Sequence, residues 1–273
     1  MSLKSKVSSL KSPKSENTSQ VTQRTVRTTL DVRLQTSDFP FVLVNMAMTA
    51  DGKIATANRN VASFGSERDH EHLLELRATA NAVMSGARTV DSMKINLGPG
   101  GAKFRRRRLQ RGLAEYNLRV LVSGNGSLNP QAEIFKHRFS PIIILTTQRT
   151  SVTKLRRLRA LADEVKVCGK TKINFRAALR WLRARWGVKR LLGEGGGELN
   201  AALFCARLVD ELHLTICPKV FGGRTAPTIA DGAGFLQLAD AAQFKLKSTR
   251  RVGDEMFLVY TKARHTAAPR AGR

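Results

Sequence analysis

Residues 188–199, Val-Lys-Arg-Leu-Leu-Gly-Glu-Gly-Gly-Gly-Glu-Leu, constrain the fold of this chain more than any other stretch. The apolar run 188–192 reads as a short buried strand, and the helical pattern Leu199, Ala202, Leu203, Ala206 follows the glycines with almost no spacer. A strand, a glycine turn and a helix in that order make an anion cradle. Glycines let backbone approach a ligand closely, and the first N–H groups of the helix face it with the positive end of the helix dipole. The spelling excludes two common versions. Glu198 stands where a dinucleotide fingerprint needs glycine, and no Gly-Lys-Ser/Thr follows as a P-loop requires. Glu194 repels phosphate and accepts hydrogen bonds from hydroxyls or amines, so the loop suits a site shared by a phosphate and a donor-rich partner. A tight turn without a ligand stays open on this loop alone.

Apolar runs at 41–48, 80–85, 118–122, 142–145 and 165–167 precede that strand and alternate with helical patterns. Ser66 followed by Glu67 and Asp69 reads as a capped helix start, with Leu73, Leu76 and Arg77 at helical spacing. Residues 175–186 place Phe175, Ala178, Leu179, Leu182 and Trp186 on one face, and Gly187 closes that helix. This alternation predicts an α/β fold with a mixed, mainly parallel central sheet flanked by helices. Leu212, Leu214 and Ile216 alternate with His213 and Thr215, and a last strand covers 256–260, which predicts antiparallel edge strands and a partly exposed His213. His70 and His72, two apart on a helix, read as solvated surface. Asn45 interrupts the first strand; its amide is either satisfied by backbone or offered to a ligand, and spacing alone favours a structural role. Asp51-Gly52 supplies the left-handed residue of the turn after that strand.

The chain has 273 residues, enough for one large domain or two small ones, and a formal charge of +26. No apolar run reaches the length of a membrane span, and the start lacks the apolar core of a secretory signal, so a cytoplasmic protein is expected. Cys168, Cys205 and Cys217 are widely spaced and read as reduced, buried thiols. The charge would favour nucleic acid or other polyanions. Much of it, however, lies in residues 1–37, expected to be a disordered basic tail, and in 103–111. Residues 265–273 are expected to be a flexible tail, leaving 38–264 as the folded domain. The glycine-rich basic segment 98–108 reads equally as a phosphate clamp or a solvated surface.

In an open α/β sheet the ligand sits outside the carboxyl ends of the strands. Segments 45–51, 86–89, 123–126 and 193–197 all follow strand ends and can converge there. There is no metal-ligand cluster, no nucleophile paired with a base, no hydrolase or kinase signature and no zinc-deaminase signature. Positioning groups without acid, base or nucleophile suit hydride transfer, where the cofactor carries the chemistry.

Taken together, Asn45-Met-Ala-Met-Thr-Ala-Asp51-Gly52-Lys53-Ile54-Ala55, Arg77, Gly86-Ala-Arg-Thr89, Gly193-Glu-Gly-Gly-Gly-Glu-Leu199, Leu208-Val-Asp-Glu-Leu212, Pro218 and Gly222-Gly223 resemble the riboflavin-biosynthesis reductase domain. The likeness covers roughly residues 39–262. It implies a dihydrofolate-reductase-like fold, NADPH as cofactor, and a homodimer without the deaminase domain of the bifunctional enzymes. The reaction it implies reduces the ribosylamino group of a phosphoribosylamino-pyrimidine to ribitylamino, with hydride passing to C1′ and no side chain assigned as catalytic. Carried over by position, Ala47, Gly86, Thr89, Ser123, Gly193, Gly195, Gly196 and Gly197 would bind NADPH. Asn45, Asp51, Ser66, Arg77 and Glu194 would lie toward substrate.

There is one departure. Where the family continues after Thr89 with an acidic residue and Asp-Pro-x-Leu-Thr-Val-Arg, this chain reads Val90-Asp-Ser-Met-Lys-Ile-Asn-Leu97. Either Asp91 and the 103–108 cluster replace those phosphate contacts, or the substrate differs. A related pterin or dihydrofolate-type substrate is the alternative within the class, although its expected buried carboxylate on the first helix has no clear counterpart in the sequence. Outside the class, the alternative is a non-catalytic homologue associated with nucleic acid.

Overall fold

The computed structural model describes residues 38–59, 64–92 and 94–263; both expected tails, 1–37 and 265–273, lie outside the described residues. The first strand, β1 (Phe41–Thr49), leads to helix α1 (Glu67–Arg77), then β2 (Ala82–Gly86) and the short α2 (Ala87–Ser92). Helix α3 (Ala102–Gln110), β3 (Leu118–Val122), the one-turn α4 (Glu133–Lys136), β4 (Ile142–Thr146), α5 (Val152–Leu161) and β5 (Glu164–Val167) follow. The chain continues with α6 (Phe175–Trp186), β6 (Arg190–Gly193), α7 (Gly197–Cys205), β7 (Glu211–Cys217), a 3₁₀ turn, β8 (Phe244–Val252) and β9 (Glu255–Lys262).

The strands form one sheet in the order β5-β4-β3-β2-β6-β1-β7-β9-β8. The first seven in that order run parallel; β9 pairs antiparallel to β7, and β8 pairs antiparallel to β9 at the edge. Continuous apolar runs such as Phe41–Val44 and Ile142–Leu145 form buried strands because helices cover both faces, so every residue of the strand meets apolar neighbours. On one face Val42, Val44, Met84, Val120 and Leu145 pack against Phe175, Leu179 and Leu182 of α6 and Leu199 and Leu203 of α7. Each such Leu or Phe contributes roughly 1.5–3 kcal/mol by burial. Helix α6 ends where Gly187 adopts φ 64°, a left-handed cap that glycine accepts without cost.

The β7 expectation is corrected. The strand is parallel to β1 and lies inside the sheet, with Asn45 beside His213 and Ala47 beside Thr215. His213 is 7 % exposed rather than solvated, because its phase of the strand faces α1 and not water. Its Nε2 lies 2.6 Å from Glu211 and its Nδ1 3.3 Å from Nε2 of His72. His72 is therefore also drawn inward; burial, followed by the nearby His213, lowers its pKa to about 4. Burial alone would raise the Glu211 carboxyl, but hydrogen bonds and charge from His213 and Lys247 hold it down to about 2. Cys168 and Cys217 are buried thiols as expected, whereas Cys205 is exposed at the end of α7.

Candidate active site

The carboxyl ends of β1, β2, β3 and β6 open onto a single crevice of about 2140 Å³. Asn45, Ala47, Gly86, Thr89, Ser123, Gly195, Gly196 and Gly197 all line it, as do Arg77 and Glu194. Three other residues expected there lie elsewhere. Gly193 is buried within β6, where a Cβ would lie 3.4 Å from Val44 Cγ2, so it shapes the strand below the site. Asp51 is exposed and braces its own turn, accepting from the Thr49 hydroxyl at 2.5 Å and from the amides of Phe221 and Gly222 at 3.2 and 2.8 Å. The Thr49 hydrogen bond is the largest influence on the Asp51 carboxyl and lowers its pKa. Ser66 caps α1 through the amide of Asp69 and donates its hydroxyl to Glu255 at 2.6 Å.

The glycine loop is fixed by its first residue. The Glu194 amide donates to Met84 O of β2 at 2.9 Å, so the turn leaves the sheet between β6 and β2. Gly196 then caps α7 without a side-chain hydrogen bond to the first amides of that helix. The glycines here are needed for space, since none of Gly195 to Gly197 has positive φ. A Cβ on Gly196 would press to 3.2 Å from the Thr89 hydroxyl, and one on Gly197 would collide with Thr228 O and the Asp231 carboxyl. The space over Gly197 is filled by the protein itself, whereas Gly196, beside the Thr89 hydroxyl, faces the crevice with bare backbone, and the residues there fit a phosphate-bearing cofactor.

Arg77 closes the wall between the loop and α1. Its Nε and Nη2 donate to the two carboxylate oxygens of Glu194 at 2.6 Å each, and its Nη1 donates to Gly98 O at 2.7 Å. Both side chains are 9 % exposed. One guanidinium thus joins α1, the glycine loop and the segment before α3 by the planar, two-pronged geometry that arginine supplies. Glu194 accepts first from Arg77, with further lone pairs left for a ligand.

Of the glycine-rich basic segment, residues 98–101 line the crevice and residues 103–108 do not. Phe104 is buried, Lys103 pairs with Glu71, and Arg107 with Glu75. Arg108 is 1 % exposed and donates to the carbonyls of Arg77, Ala80 and Ala114 at 2.6–2.9 Å, so its cation braces the end of α1. Asp91 is exposed and accepts from the amide of Asn129.

Several lining residues escaped the sequence reading. Asp69 of α1 is one, and its carboxyl is raised chiefly by burial. Arg59, Arg88, Lys94 and Arg149 bring positive charge to the rim. The segment around Asp231 folds over the start of α7, with its amide on Gly197 O at 3.0 Å and Ile229 O accepting from Asn200. Ser123 lines the crevice but commits its hydroxyl to Ser127 O at 2.9 Å. Spacing carried no signal for Asp69 or Asp231, since an acid in a first helical turn or a loop is ordinarily solvated.

Comparison with known proteins accords with this geometry. The chain is 31 % identical over 224 residues to the 2,5-diamino-6-ribosylamino-4(3H)-pyrimidinone 5′-phosphate reductase of Methanothermobacter thermautotrophicus, covering 81 % of this chain and 98 % of that one. It is 32 % identical to the protein of the same name from Archaeoglobus fulgidus, covering 79 % and 94 %. Among solved structures, a pyrimidine reductase-like protein of Corynebacterium diphtheriae superposes with a TM-score of 0.67 at 23 % identity, over 82 % of this chain and 92 % of that one. A deaminase/reductase of Thermotoga maritima gives 0.67 at 18 % identity over 89 % of this chain and 63 % of that longer one. These structures share the dihydrofolate-reductase-like fold expected from the sequence. The model of the RibD C-terminal domain matches residues 40–258, and the chain belongs to that family of riboflavin-biosynthesis reductase domains.

Proposed function

We propose that the chain uses NADPH to reduce the ribosylamino group of 2,5-diamino-6-ribosylamino-4(3H)-pyrimidinone 5′-phosphate to ribitylamino. The observation that carries this reading is the single crevice in which an uncapped helix start, Gly196 at α7, lies beside the Arg77–Glu194 pair. NADPH when bound supplies a hydride to C1′ of the opened sugar, and the adjacent nitrogen gains a proton. The chain's own residues position and shield. Gly195 to Gly197 and Thr89 hold the phosphate-bearing part of the cofactor, and Ala47, half-buried at the end of β1, forms the floor where the reacting carbons meet. Gly86 and Ser123 continue that wall toward β3. Asn45, Arg77 and Glu194 face substrate, with Asn45 Oδ1 buried and without a hydrogen-bond partner among the described residues.

With Asp91 tied to Asn129 and residues 103–108 outside the crevice, the exposed rim cations Arg59 and Lys94 are the groups offered to the substrate phosphate. A homodimer belongs to the same reading. It is supported by the open edge strand β8, of which residues 245–251 are exposed, including Leu246 at 54 %. Substrate-dependent NADPH consumption by the purified chain tests the assignment. Consumption that rises with the diamino substrate supports it, and none at any substrate concentration refutes it.

A further inference from the structure

Residues 149–190 carry fourteen lysines and arginines and two acids, Asp163 and Glu164. Both acids are used inside the fold. Asp163 accepts from the Ile142 amide at 2.8 Å, and Glu164 accepts from the Trp186 indole at 2.9 Å with Arg185 at 3.6 Å. The charge gathers on α5, which packs against the edge strand β5. Arg156, Arg157 and Arg159 are exposed on the side of that helix opposite the buried Leu158. None of the three has a side-chain hydrogen bond or ion pair among the described residues. Lys170, exposed and equally free, lies beyond the amino end of α5. There the Gln148 amide donates to Gly169 O at 3.0 Å and joins the loop before α5 to the loop after β5.

Helix α3 is the contrast, a basic helix whose charge is taken up internally. Lys103 pairs with Glu71, Arg105 with Glu115 and Arg107 with Glu75, while Arg108 is buried on three carbonyls. No acid answers the α5 arginines in this way. Cations held together without counter-charges raise the potential over the surface and attract a polyanion.

The make-up of the face selects the kind of polyanion. Its exposed large apolar side chains are two single valines, Val152 and Val167, which do not make the apolar core of a protein interface. A single strand is held by stacking its bases on aromatic rings, but Trp186 is turned to Glu164 and Trp181 lies under the Lys166 ammonium at 5.4 Å. What the face offers is guanidinium forks for phosphate. The ten residues of α5 span about 15 Å, over which one strand of a duplex carries about four phosphates.

We propose that α5 docks on the phosphate backbone of double-stranded nucleic acid through Arg156, Arg157 and Arg159, with Lys170 extending the contact past the helix start, independently of base sequence. None of these four residues lines the crevice, so the docking face is separate from the candidate active site.

The test is fluorescence anisotropy of labelled 20-base-pair DNA and RNA duplexes of mixed sequence, titrated with the full chain over a range of salt concentrations. Two variants are compared with it. One carries Arg156→Gln, Arg157→Gln and Arg159→Gln; the other removes the same charge from exposed positions elsewhere, Arg106→Gln, Arg224→Gln and Lys245→Gln. The lysines and arginines of residues 1–37 are common to all three proteins, so their contribution cancels. Melting temperatures report folding. The α5 variant is expected to bind about tenfold or more weakly than the native chain at about 0.1 M salt, with the slope of log affinity against log salt shallower by about three. The control is expected to stay within about threefold of native, with its slope changed by less than about one. Binding of either duplex through α5 supports the proposal, and the tighter of the two names the source. No duplex binding by the native chain at about 50 mM salt overturns it. So does an α5 variant that keeps the native affinity and slope, or a control that loses as much as the α5 variant.

Discussion

Arg77 and Glu194, 117 residues apart in sequence, meet through two parallel hydrogen bonds of 2.6 Å at the wall between the glycine loop and helix α1. The pair ties the first residue of the glycine loop to helix α1. Glu194→Gln retains the shape and one acceptor but removes the charge that holds the guanidinium. The expected result is a fall of about a hundredfold in kcat/KM for the pyrimidine, with NADPH affinity changed by less than about threefold. Steady-state kinetics beside direct NADPH titration separate the two, and equal losses would refute this division of labour.

Gly197 tests the cradle. Because its added Cβ would meet the Thr228 carbonyl and Asp231, Gly197→Ala must displace the segment over the start of α7. NADPH affinity is expected to fall about tenfold or more, with the melting temperature lowered as the Asp231 to Gly197 bond is lost. Fluorescence titration of NADPH measures it. An unchanged affinity would place the phosphates elsewhere.

Arg149 tests which end of the crevice holds the adenosine. Strands β1 and β4 are four positions apart in the sheet, about 19 Å at the usual strand spacing, which is the reach of an extended dinucleotide. With the reacting ring at Ala47, the exposed Arg149 after β4 lies at the far end. Arg149→Ala is expected to weaken NADPH about tenfold and NADH by less than about twofold, since only the former carries the extra phosphate. A uniform effect on both would argue against that placement.

Stability should fall in mild acid because of His72. Its pKa is about 4 in the folded chain against 6.5 ordinarily, so the unfolded chain takes up the proton first. The contribution is complete above 6.5 and is lost as pH falls from 6.5 toward 4. Allowing for the part of the ring that faces water, the loss at about pH 5 is of order 1 kcal/mol. Glu211, held at about 2, adds its own loss only at lower pH. Urea unfolding of the native chain and of His72→Gln at about pH 7 and about pH 5 checks this. The variant should show the smaller difference between the two.

Much of the parallel sheet was legible because strands buried on both faces are largely apolar, as Phe41–Val44 and Ile142–Leu145 are, and because α6 shows its capped face plainly. The glycine loop was legible for the same local reason. What the sequence hid is long-range. Nothing near Glu194 announces Arg77, and nothing in Lys103 to Arg108 shows that Arg108 finds three carbonyls instead of solvent. His213 was misjudged because the polar phase of β7 faces α1 rather than water. Strand β8 alternates only at Phe244 and Leu246 and is polar from there to Arg251, since residues 245–251 are exposed at the sheet edge. Asp69 reads in sequence as an ordinary first-turn acid, and only its place beside Thr215 of β7 and Glu255 of β9 distinguishes it.

The most direct test of the reductase reading follows the hydride itself. NADPH deuterated at the transferring carbon of its nicotinamide is incubated with the chain and the diamino ribosylamino substrate, and the product is examined by mass spectrometry and NMR. The account predicts a ribitylamino product carrying one deuterium, at C1′. Product without deuterium, or deuterium at any other carbon, would contradict it.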